Sequence, residues 1–486
     1  MINMTANEGL YLNQILKHRQ TDSVSHYHLL SLLLIAGTIA THTAYADDAI
    51  PGTDSALSLP EKSSLFIDDK LSFTVAVDGR VRTRRRNNGE SWGRLNYASY
   101  NLIADYQSGY YQDWIGFNLA GYIAGDIFNN SQKNARGESL TNEVSMSSTM
   151  DWGAGDRHFK ITNASLKFHL SDNIDAKIGF LQADCKGVIG NVWAFVPGTY
   201  RGVEISADYS PLKLSYFATN QHTASWIHDE DDYAAALWSD TDWSWMHSLG
   251  LDYALSDALS VQLGIGQSYD VRYANDIDWN NEVVNSYHQP IDTTGYSLRA
   301  QYQVSKDTTL KYIYYGVRDT VQYEGMGHVH GLFFDTDLDY GHWMTNIQYN
   351  KSDNDRDVNP RMIYTFGMNN GLFSMWWDAL SDWNKSGEIA IYNRFSAPIA
   401  NGWEYYLGFG YGTGSKSAAD GALGDWDYGE EFAINATLSY TVPTGQLKDS
   451  TFRLHATRLK RNEFASATRY ADETDLRFTV VIPYHL

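Results

Sequence analysis

The stretch LRFTVVIPYHL fills residues 476–486, at the carboxyl end of the chain. Its even-numbered residues are Leu, Phe, Val, Ile, Tyr and Leu, whereas its odd-numbered residues are Arg, Thr, Val, Pro and His. Successive side chains of a strand point to opposite faces, so this period of two predicts a β-strand with one apolar and one more polar face. In a transmembrane barrel those faces meet lipid and a wet lumen. A soluble edge strand shows the same alternation, so this stretch alone leaves both folds open.

The same alternation recurs along most of the chain and predicts eighteen strands in all. Their cores are predicted at 71–84, 95–106, 112–127, 159–170, 175–182, 200–209, 212–219, 246–255, 259–270, 295–304, 309–318, 330–338, 342–349, 388–395, 404–411, 431–440, 451–460 and 475–486. Short turns alternate with long polar connections, as in antiparallel barrels with short periplasmic turns and long external loops. The fold class is therefore predicted as all-β, a transmembrane antiparallel β-barrel of about 18 strands, which is wide enough to leave an aqueous channel.

Composition narrows the class of protein further. Aromatic residues make up 14% of the chain, with 34 Tyr and 15 Trp, and such rings concentrate where a membrane meets water. A secreted glycan-binding β-sandwich is the alternative that this composition allows. The net charge of -21 argues against nucleic acid as a partner, because phosphate binding requires a basic surface. The single cysteine, Cys185, has no partner within the chain for a disulfide.

The amino-terminal segment has the features of an export signal. Basic residues precede the apolar run at 29–40, and Ala44-Tyr45-Ala46 supplies the small residues that signal peptidase requires. The alternative is a membrane anchor, but a spanning helix needs about 20 apolar residues. We therefore predict a signal peptide at 1–46, a short polar leader at 47–64 and a single barrel domain at 65–486.

Three arginines share one face of the first predicted strand. Arg80, Arg82 and Arg84 occupy alternate positions and therefore share one face of the strand. The apolar residues at 73, 75 and 77 occupy the other face. Guanidinium groups offer several hydrogen-bond donors to acidic groups or sugar hydroxyls. The arginines are predicted to line the lumen; the alternative is that they are solvated or bind lipopolysaccharide phosphates at the rim.

Residues 181–202, with WAFVPGTYRG at 193–202, resemble the third-loop signature of the OprD-type outer-membrane porins. Supporting similarities are DYQSGY at 105–110, MHSLG at 246–250 and WWDALSDWN at 376–384. The resemblance spans nearly all of the predicted barrel domain, and within the family it is greatest to the chitoporins, which take up chitooligosaccharides.

This resemblance implies an eighteen-stranded barrel in the bacterial outer membrane, with a third loop that folds inward and a basic ladder on the lumen wall. It implies passive diffusion of small polar solutes, and we favour chitin oligosaccharides because a strongly acidic chain suits carboxylate solutes poorly. Other solutes, including amino acids, peptides and carboxylates, stay open. The implied partners are outer-membrane lipid, lipopolysaccharide and, through the terminal strand, the barrel-assembly machinery. A monomer is expected, and a trimer is the alternative.

Sugar passage requires aromatic faces for stacking together with polar groups. Besides the three arginines, the residues predicted to line the pore or bind the solute are Trp193, Phe195, Arg201, Trp376 and Trp377, and the further aromatic candidates are Trp226, Trp243, Trp245 and Trp383. Trp193 is the best single candidate, because the loop signature fixes its position. The competing interpretation is that these aromatics form girdles at the membrane surface.

The sequence contains little support for catalysis or metal binding. His328 and His330 are spaced to share a strand face but have no evident third metal ligand. The alternate aspartates at 353, 355 and 357 lack the glycine and closing glutamate of a calcium loop. No local signature pairs a nucleophile with a base. We therefore predict no cofactor, no metal and no catalytic residue, and keep an outer-membrane barrel hydrolase as the enzyme alternative.

Overall fold

The structure is a computed structural model of the whole chain. It describes residues 69–86, 88–91, 93–132, 158–182, 187–190, 198–223, 239–242, 245–277, 283–285, 290–319, 323–358, 373, 377–414, 428–464 and 470–485. None of these residues belongs to a helix long and apolar enough to cross a membrane. The predicted signal peptide and polar leader lie outside the described residues and stay predictions.

Twenty strands follow one another along the described chain. They are β1 Lys70–Arg86, β2 Leu95–Gln107, β3 Ile115–Asn129, β4 His158–Ser171, β5 Ile174–Leu181, β6 Thr199–Tyr209, β7 Leu212–Thr223, β8 Ser239–Asp242, β9 Trp245–Ala254, β10 Leu259–Ile277, β11 Val283–Asn285, β12 Pro290–Ser305, β13 Thr308–Asp319, β14 Gly325–Leu338, β15 Gly341–Ser352, β16 Ile389–Ala400, β17 Trp403–Thr413, β18 Tyr428–Thr441, β19 Thr451–Phe464 and β20 Tyr470–His485. The short strands β8 and β11 lie in long connections and pair only with the extended β10.

The other eighteen strands form a closed antiparallel barrel, which confirms the predicted fold class. Each pairs with its neighbour in the chain, and β20 returns to pair with β1, from Ser72 opposite His485 to Arg84 opposite Glu473. Closure satisfies the backbone hydrogen bonds of every barrel strand and leaves no open edge. The predicted strand count and order agree with the observed barrel, and the ends differ by a few residues.

The connections separate the barrel into two ends. Turns of two residues, such as 172–173 and 306–307, lie at the end where β1 begins and β20 stops. Long connections, such as 130–157 and 353–388, join the strand ends at the opposite end of the barrel. This asymmetry is typical of outer-membrane barrels, in which the short turns face the periplasm and the long loops face outward.

The outer face of the barrel is apolar. Leu263 and Ile265 of β10 and Leu407 of β17 each expose about half of their side chains. Such exposure is expected where lipid replaces water as the surrounding medium. Aromatic pairs lie on the same face toward both ends, including Trp245 stacked on Tyr269, with ring centroids 4.9 Å apart, and Trp403 over Tyr440 at 4.8 Å. The outer face therefore has the apolar band and flanking aromatic girdles of a membrane-spanning barrel.

Parts of two long connections pack inside the barrel. One apolar cluster joins Val188 and Ile189 of the third connection, residues 182–198, to wall residues such as Tyr315. A second cluster joins Leu380 and Trp383 of the connection 353–388 to wall residues such as Ala433. We call the described residues of the second connection, 353–358, 373 and 377–388, the lumen loop. These inward segments occupy part of the barrel interior and position the candidate site.

Candidate functional site

The three arginines of the predicted ladder lie on the inner face of β1. Arg80, Arg82 and Arg84 are almost completely buried, whereas Val81 on the opposite face exposes 48% of its side chain. The strand therefore follows its sequence pattern, with guanidinium groups inside and apolar groups outside. The structure brings the three arginines together on the lumen wall.

An acidic ladder on β20 faces this basic ladder. Arg80 Nε lies 2.7 Å from Asp475 Oδ1, and Arg84 Nε lies 2.6 Å from Glu473 Oε2. Arg82 is paired in register with Asp475, so it lies between these two ion pairs. Charge-assisted hydrogen bonds of this kind are short and directional. The arginines at the two ends of the basic ladder are thus bonded to carboxylates of the neighbouring strand.

The ion-pair network extends from β20 to the lumen loop. Arg461 Nη1 lies 2.8 Å from Glu473 Oε1, and its Nε lies 3.3 Å from Glu431 Oε2. The Ser381 hydroxyl of the lumen loop donates to Glu431 Oε1 at 2.8 Å. These groups are buried, so their partners are needed to offset the loss of hydration. The network therefore joins three strands of the wall to the loop that covers them.

Asp378 connects the lumen loop to the part of the same wall that lies closer to the short-turn end. Its Oδ1 lies 2.6 Å from Arg477 Nη1, and its Oδ2 lies 2.6 Å from Arg453 Nη2. Burial alone raises the pKa of the Asp378 carboxyl, but Arg477, His455 and Arg453 outweigh burial and hold the pKa below its ordinary value. Asp378 is therefore a carboxylate under ordinary conditions, bridging β19 and β20.

Backbone groups of the lumen loop are bonded to the wall as well. The Asp378 carbonyl accepts hydrogen bonds from Thr457 Oγ1 at 3.0 Å and from His455 Nε2 at 3.1 Å. The Trp377 carbonyl accepts one from Asn435 Nδ2 at 2.9 Å. Trp377 and Asp378 have positive φ values of 51° and 55°, a left-handed conformation that side chains other than glycine adopt at some cost. The wall contacts hold the loop in this conformation.

Two tryptophans of the lumen loop lie on an inner wall shaped to receive them. The Trp377 ring is stacked on Tyr392, with centroids 5.1 Å apart and planes 8° apart, and Trp383 is fully buried beside it. Strand β17 presents glycine at alternate inward positions, and a Cβ atom on Gly410 would lie 3.0 Å from Trp383 Cη2. Glycine is therefore needed here because the loop approaches the strand closely.

The third connection lies against another part of the inner wall. The Val188 amide donates to Ser248 Oγ at 2.8 Å, and the Val188 carbonyl accepts from the Tyr315 hydroxyl at 3.2 Å. Tyr315 also contacts Phe373 of the lumen loop, with ring centroids 5.4 Å apart. The two inward segments thus meet at Tyr315. The inward course of the third connection, which the resemblance implies, is seen in its described part, residues 187–190.

The predicted solute-binding residues have different positions. Trp193, Phe195 and Trp376 lie outside the described residues, and their predicted roles stay predictions. Arg201 differs from the prediction, because its exposed side chain lies on the outer face of β6, where Arg201 Nε is 3.4 Å from Asn220 Oδ1. The cause is strand parity, since the inward-facing Tyr200 is its immediate neighbour.

Other candidates are placed away from the channel. Trp245 belongs to the outer girdle, and Trp383 is buried between the lumen loop and the barrel wall. His328 and His330 lie on the outer face, and their Nδ1 atoms are each 2.9 Å from a tyrosine hydroxyl, those of Tyr314 and Tyr312. Within the described ranges, no group of three or more His, Cys, Asp or Glu side chains is arranged to hold a metal ion.

The acidic half of the network was not predicted, although the sequence carries a signal for it. Glu473, Asp475 and Arg477 occupy alternate positions on the face of β20 opposite the exposed Leu476 and Phe478. A period of two that places acidic residues on an inward face indicates partners for an inward basic row. The contact of Asp378 with two arginines lacks such a signal, because it joins a loop to strands far along the chain.

Comparisons with known proteins agree with this architecture. Residues 66–486 match the family model described as outer membrane porin, OprD family. The chain is 25% identical over 483 residues to the protein named Chitoporin of Escherichia coli (strain K12), and the match covers 91% of this chain and 97% of that protein. The match to the family model includes every strand of the barrel.

Solved structures share the fold. The structure of Pseudomonas aeruginosa OpdK with vanillate superposes with a TM-score of 0.63 at 15% identity, covering 87% of this chain and 100% of that one. Acinetobacter baumannii OccAB1 superposes with a TM-score of 0.64 at 14% identity, covering 88% and 99%. These similarities confirm the barrel fold, and the match over residues 66–486 establishes that the chain belongs to the OprD family of outer membrane porins.

Proposed function

We propose that this porin passes small neutral or weakly cationic oligosaccharides by passive diffusion, with chitooligosaccharides as the preferred solute and without chemical conversion of them. The observation that carries the proposal is the inward position of Trp377, next in the chain to Asp378 with its ion pair to Arg477, on a wall where Arg80 and Arg84 are paired with carboxylates. An aromatic face and a mixed polar surface suit a sugar, whereas a bare cationic surface suits an anion.

The charge balance on this wall is the first support. Asp475 lies within 2.7 Å of both Arg80 Nε and Arg477 Nε, and Glu473 accepts from Arg84 and Arg461. Because the ladder groups engage each other, they attract a carboxylate less strongly than unpaired arginines would. They still offer hydrogen-bond donors and acceptors to hydroxyl and acetamido groups.

The partly buried residue Trp377 is the second support. One face of this ring stacks on Tyr392, and the residue keeps part of its surface open in the lumen. Conduction requires binding that is weak enough for release, which a single aromatic contact provides. The similarity to the chitoporin of Escherichia coli is the third support, since 25% identity extends over nearly the whole of both chains.

The test is the conductance of the mature chain in a planar bilayer, titrated with chitohexaose and with maltohexaose. We expect discrete openings that chitohexaose blocks reversibly and maltohexaose does not. Trp377→Ala should weaken the block by about tenfold, the order expected for one stacked aromatic contact. The matched control is Trp403→Ala, which removes an indole from the outer girdle and should leave the block unchanged. Openings indifferent to both sugars would contradict the sugar preference.

A second solute class, small carboxylates, is favoured by a separate group of cations. Arg299, Lys311 and Arg394 lie on inner faces of the wall, and Lys311 and Arg394 stand over the rings of Phe333 and Tyr406. None of these three cations forms a salt bridge within the part of the chain that the structure describes. Block by an aromatic carboxylate such as benzoate, lost in Lys311→Gln and retained in Trp377→Ala, would support this class instead of the sugar.

A further inference from the structure

A row of basic side chains crosses the outer face of the barrel at its long-loop end. Lys460 of β19 pairs with Asp472 of β20, and Asp472 pairs with Arg85 of β1, so the three residues form one row across three strands. The next row toward the short turns contains Arg458 and Thr474. We call the three cations Arg85, Arg458 and Lys460 the outer basic patch.

The outer basic patch is open to its surroundings. Arg85 and Lys460 are exposed, and the Arg458 side chain keeps 52% of its surface accessible. Arg458 is also positioned by its neighbours, because its Nη1 donates to Thr474 Oγ1 at 2.7 Å and its Nη2 lies 3.2 Å from Asp472 Oδ1. The patch therefore combines one oriented guanidinium with two exposed cations.

The outer apolar band begins directly below the patch. Following the register one step further, Val81 and Leu476 are paired, and beneath them lie Phe478 and Leu454, each of these four residues exposing nearly half of its surface. Such a band faces acyl chains. The patch is thus at the height where lipid headgroups of the outer leaflet meet the protein.

We propose that the outer basic patch, Arg85, Arg458 and Lys460, binds the phosphate groups of lipopolysaccharide while its acyl chains lie on the apolar surface of β19, β20 and β1 below. Guanidinium and ammonium groups are the side chains that recognise phosphate. The concentration of three cations is notable in a chain of net charge -21. All three adjoin the carboxylate of Asp472, which offsets one of their charges and leaves an excess of positive charge. The proposal does not depend on which solute the channel passes.

Binding is tested with the purified full-length mature porin in detergent, titrated with a deep-rough lipopolysaccharide. The variant Arg85→Gln/Arg458→Gln/Lys460→Gln should bind on the order of a hundredfold more weakly, since each cation near an anionic lipid surface contributes a few-fold. The matched control is Lys70→Gln/Lys306→Gln/Lys448→Gln, which removes three exposed cations at the short-turn end and should bind as the wild type does. Heat-modifiable gel migration verifies that each variant is folded.

Two further arms identify the ligand chemistry. Enzymatically dephosphorylated lipopolysaccharide should bind to the wild type as weakly as native lipid binds to the triple variant. Asp472→Asn, which removes the one carboxylate of the row, should tighten binding several-fold. Equal affinity of the two triple variants, or undiminished binding of the dephosphorylated lipid, would overturn the proposal. So would a lipid-independent dimer that the patch variant dissociates, because it would assign the surface to a second copy of the chain.

Discussion

The carboxylate of Asp378 lies 2.6 Å from Arg477 Nη1 and 2.6 Å from Arg453 Nη2, so one side chain of the lumen loop bridges two adjacent strands of the barrel wall. This bridge fixes the segment that carries Trp377. A loop that contributes to a pore must be held against thermal motion, because its displacement changes the channel cross-section. The ion pairs of Asp378 therefore help to hold the lumen loop inside the channel.

Replacing Asp378 with Asn should release the lumen loop. Removing the charge leaves two arginines without their shared partner, and the loss of a buried charge-assisted contact costs about 1–3 kcal/mol. The equilibrium between docked and released loop should shift about tenfold or more. We expect a larger mean conductance and faster flicker in single-channel recordings. Asp307→Asn, in a two-residue turn at the other end of the barrel, is the control, and an unchanged Asp378→Asn channel would contradict the anchoring role.

Acid should release the same contact. The lowered pKa of Asp378 means that its anchoring contribution is present above the ordinary pKa of 3.8 and is lost as the pH falls through the lowered value. We therefore expect a conductance increase only in strongly acidic solution. In Asp378→Asn this acid-dependent increase should be absent. A wild-type channel whose conductance is constant through the acid range would show that Asp378 does not hold the loop.

The opposite pH dependence is expected from Glu388, at the end of the lumen loop. Burial raises the pKa of Glu388 well above its ordinary value of 4.5, and the adjacent Glu431 carboxyl adds to the rise. Its contribution to loop anchoring is complete below that ordinary pKa and is lost as the pH rises through the raised value. As the pH rises above 4.5 and through the raised pKa, we expect loop release to increase in the wild type and to stay constant in Glu388→Gln. The rate of limited proteolysis within the lumen loop, followed as a function of pH, measures the released fraction.

The alternation of apolar and polar residues was enough to predict the barrel, because the two faces of the barrel wall have different surroundings. Arg80 faces the lumen and Val81 faces lipid. Because successive residues of a barrel strand alternate between these two surroundings, the sequence shows a period of two. The inward course of loops has no such period. The bridge from Asp378 to Arg477 joins positions 99 residues apart, and its formation depends on the barrel closing first.

Strand parity also explains the one predicted pore residue that lies elsewhere. Arg201 follows the inward-facing Tyr200, and a shift of one residue reverses the face of a strand side chain. The family resemblance identified the segment that contains Arg201 but did not indicate which face of the strand its side chain occupies. Trp377 was predicted among the pore residues, yet its partner Tyr392 was not, because loop-to-wall stacking has no local sequence signal.

A larger residue at Gly410 should displace the buried part of the lumen loop. A Cβ atom there would already approach Trp383 to 3.0 Å, so Gly410→Val forces the indole or the strand to move. Overpacking of this kind costs about 1–3 kcal/mol. We expect wider, less stable openings and faster cleavage within the lumen loop by protease. Ala436→Val adds two carbon atoms on the lipid-facing side of β18, one fewer than Gly410→Val, and should change neither; equal effects of both variants would refute the close-packing argument.

The outer apolar band can be tested by introducing a charge at two heights. Leu263 lies in the middle of the lipid-facing surface of β10, whereas Leu255 lies in the turn between β9 and β10, and both are exposed. An arginine near the centre of the bilayer destabilises a barrel by about 2–4 kcal/mol, and one at the interface by about 0–1 kcal/mol. Leu263→Arg should therefore lower the free energy of unfolding in phospholipid vesicles by that larger amount, measured by urea titration, and Leu255→Arg should have little effect. If the two variants lose the same stability, the surface around Leu263 does not lie in lipid, and the position of the membrane relative to the strands must be assigned differently.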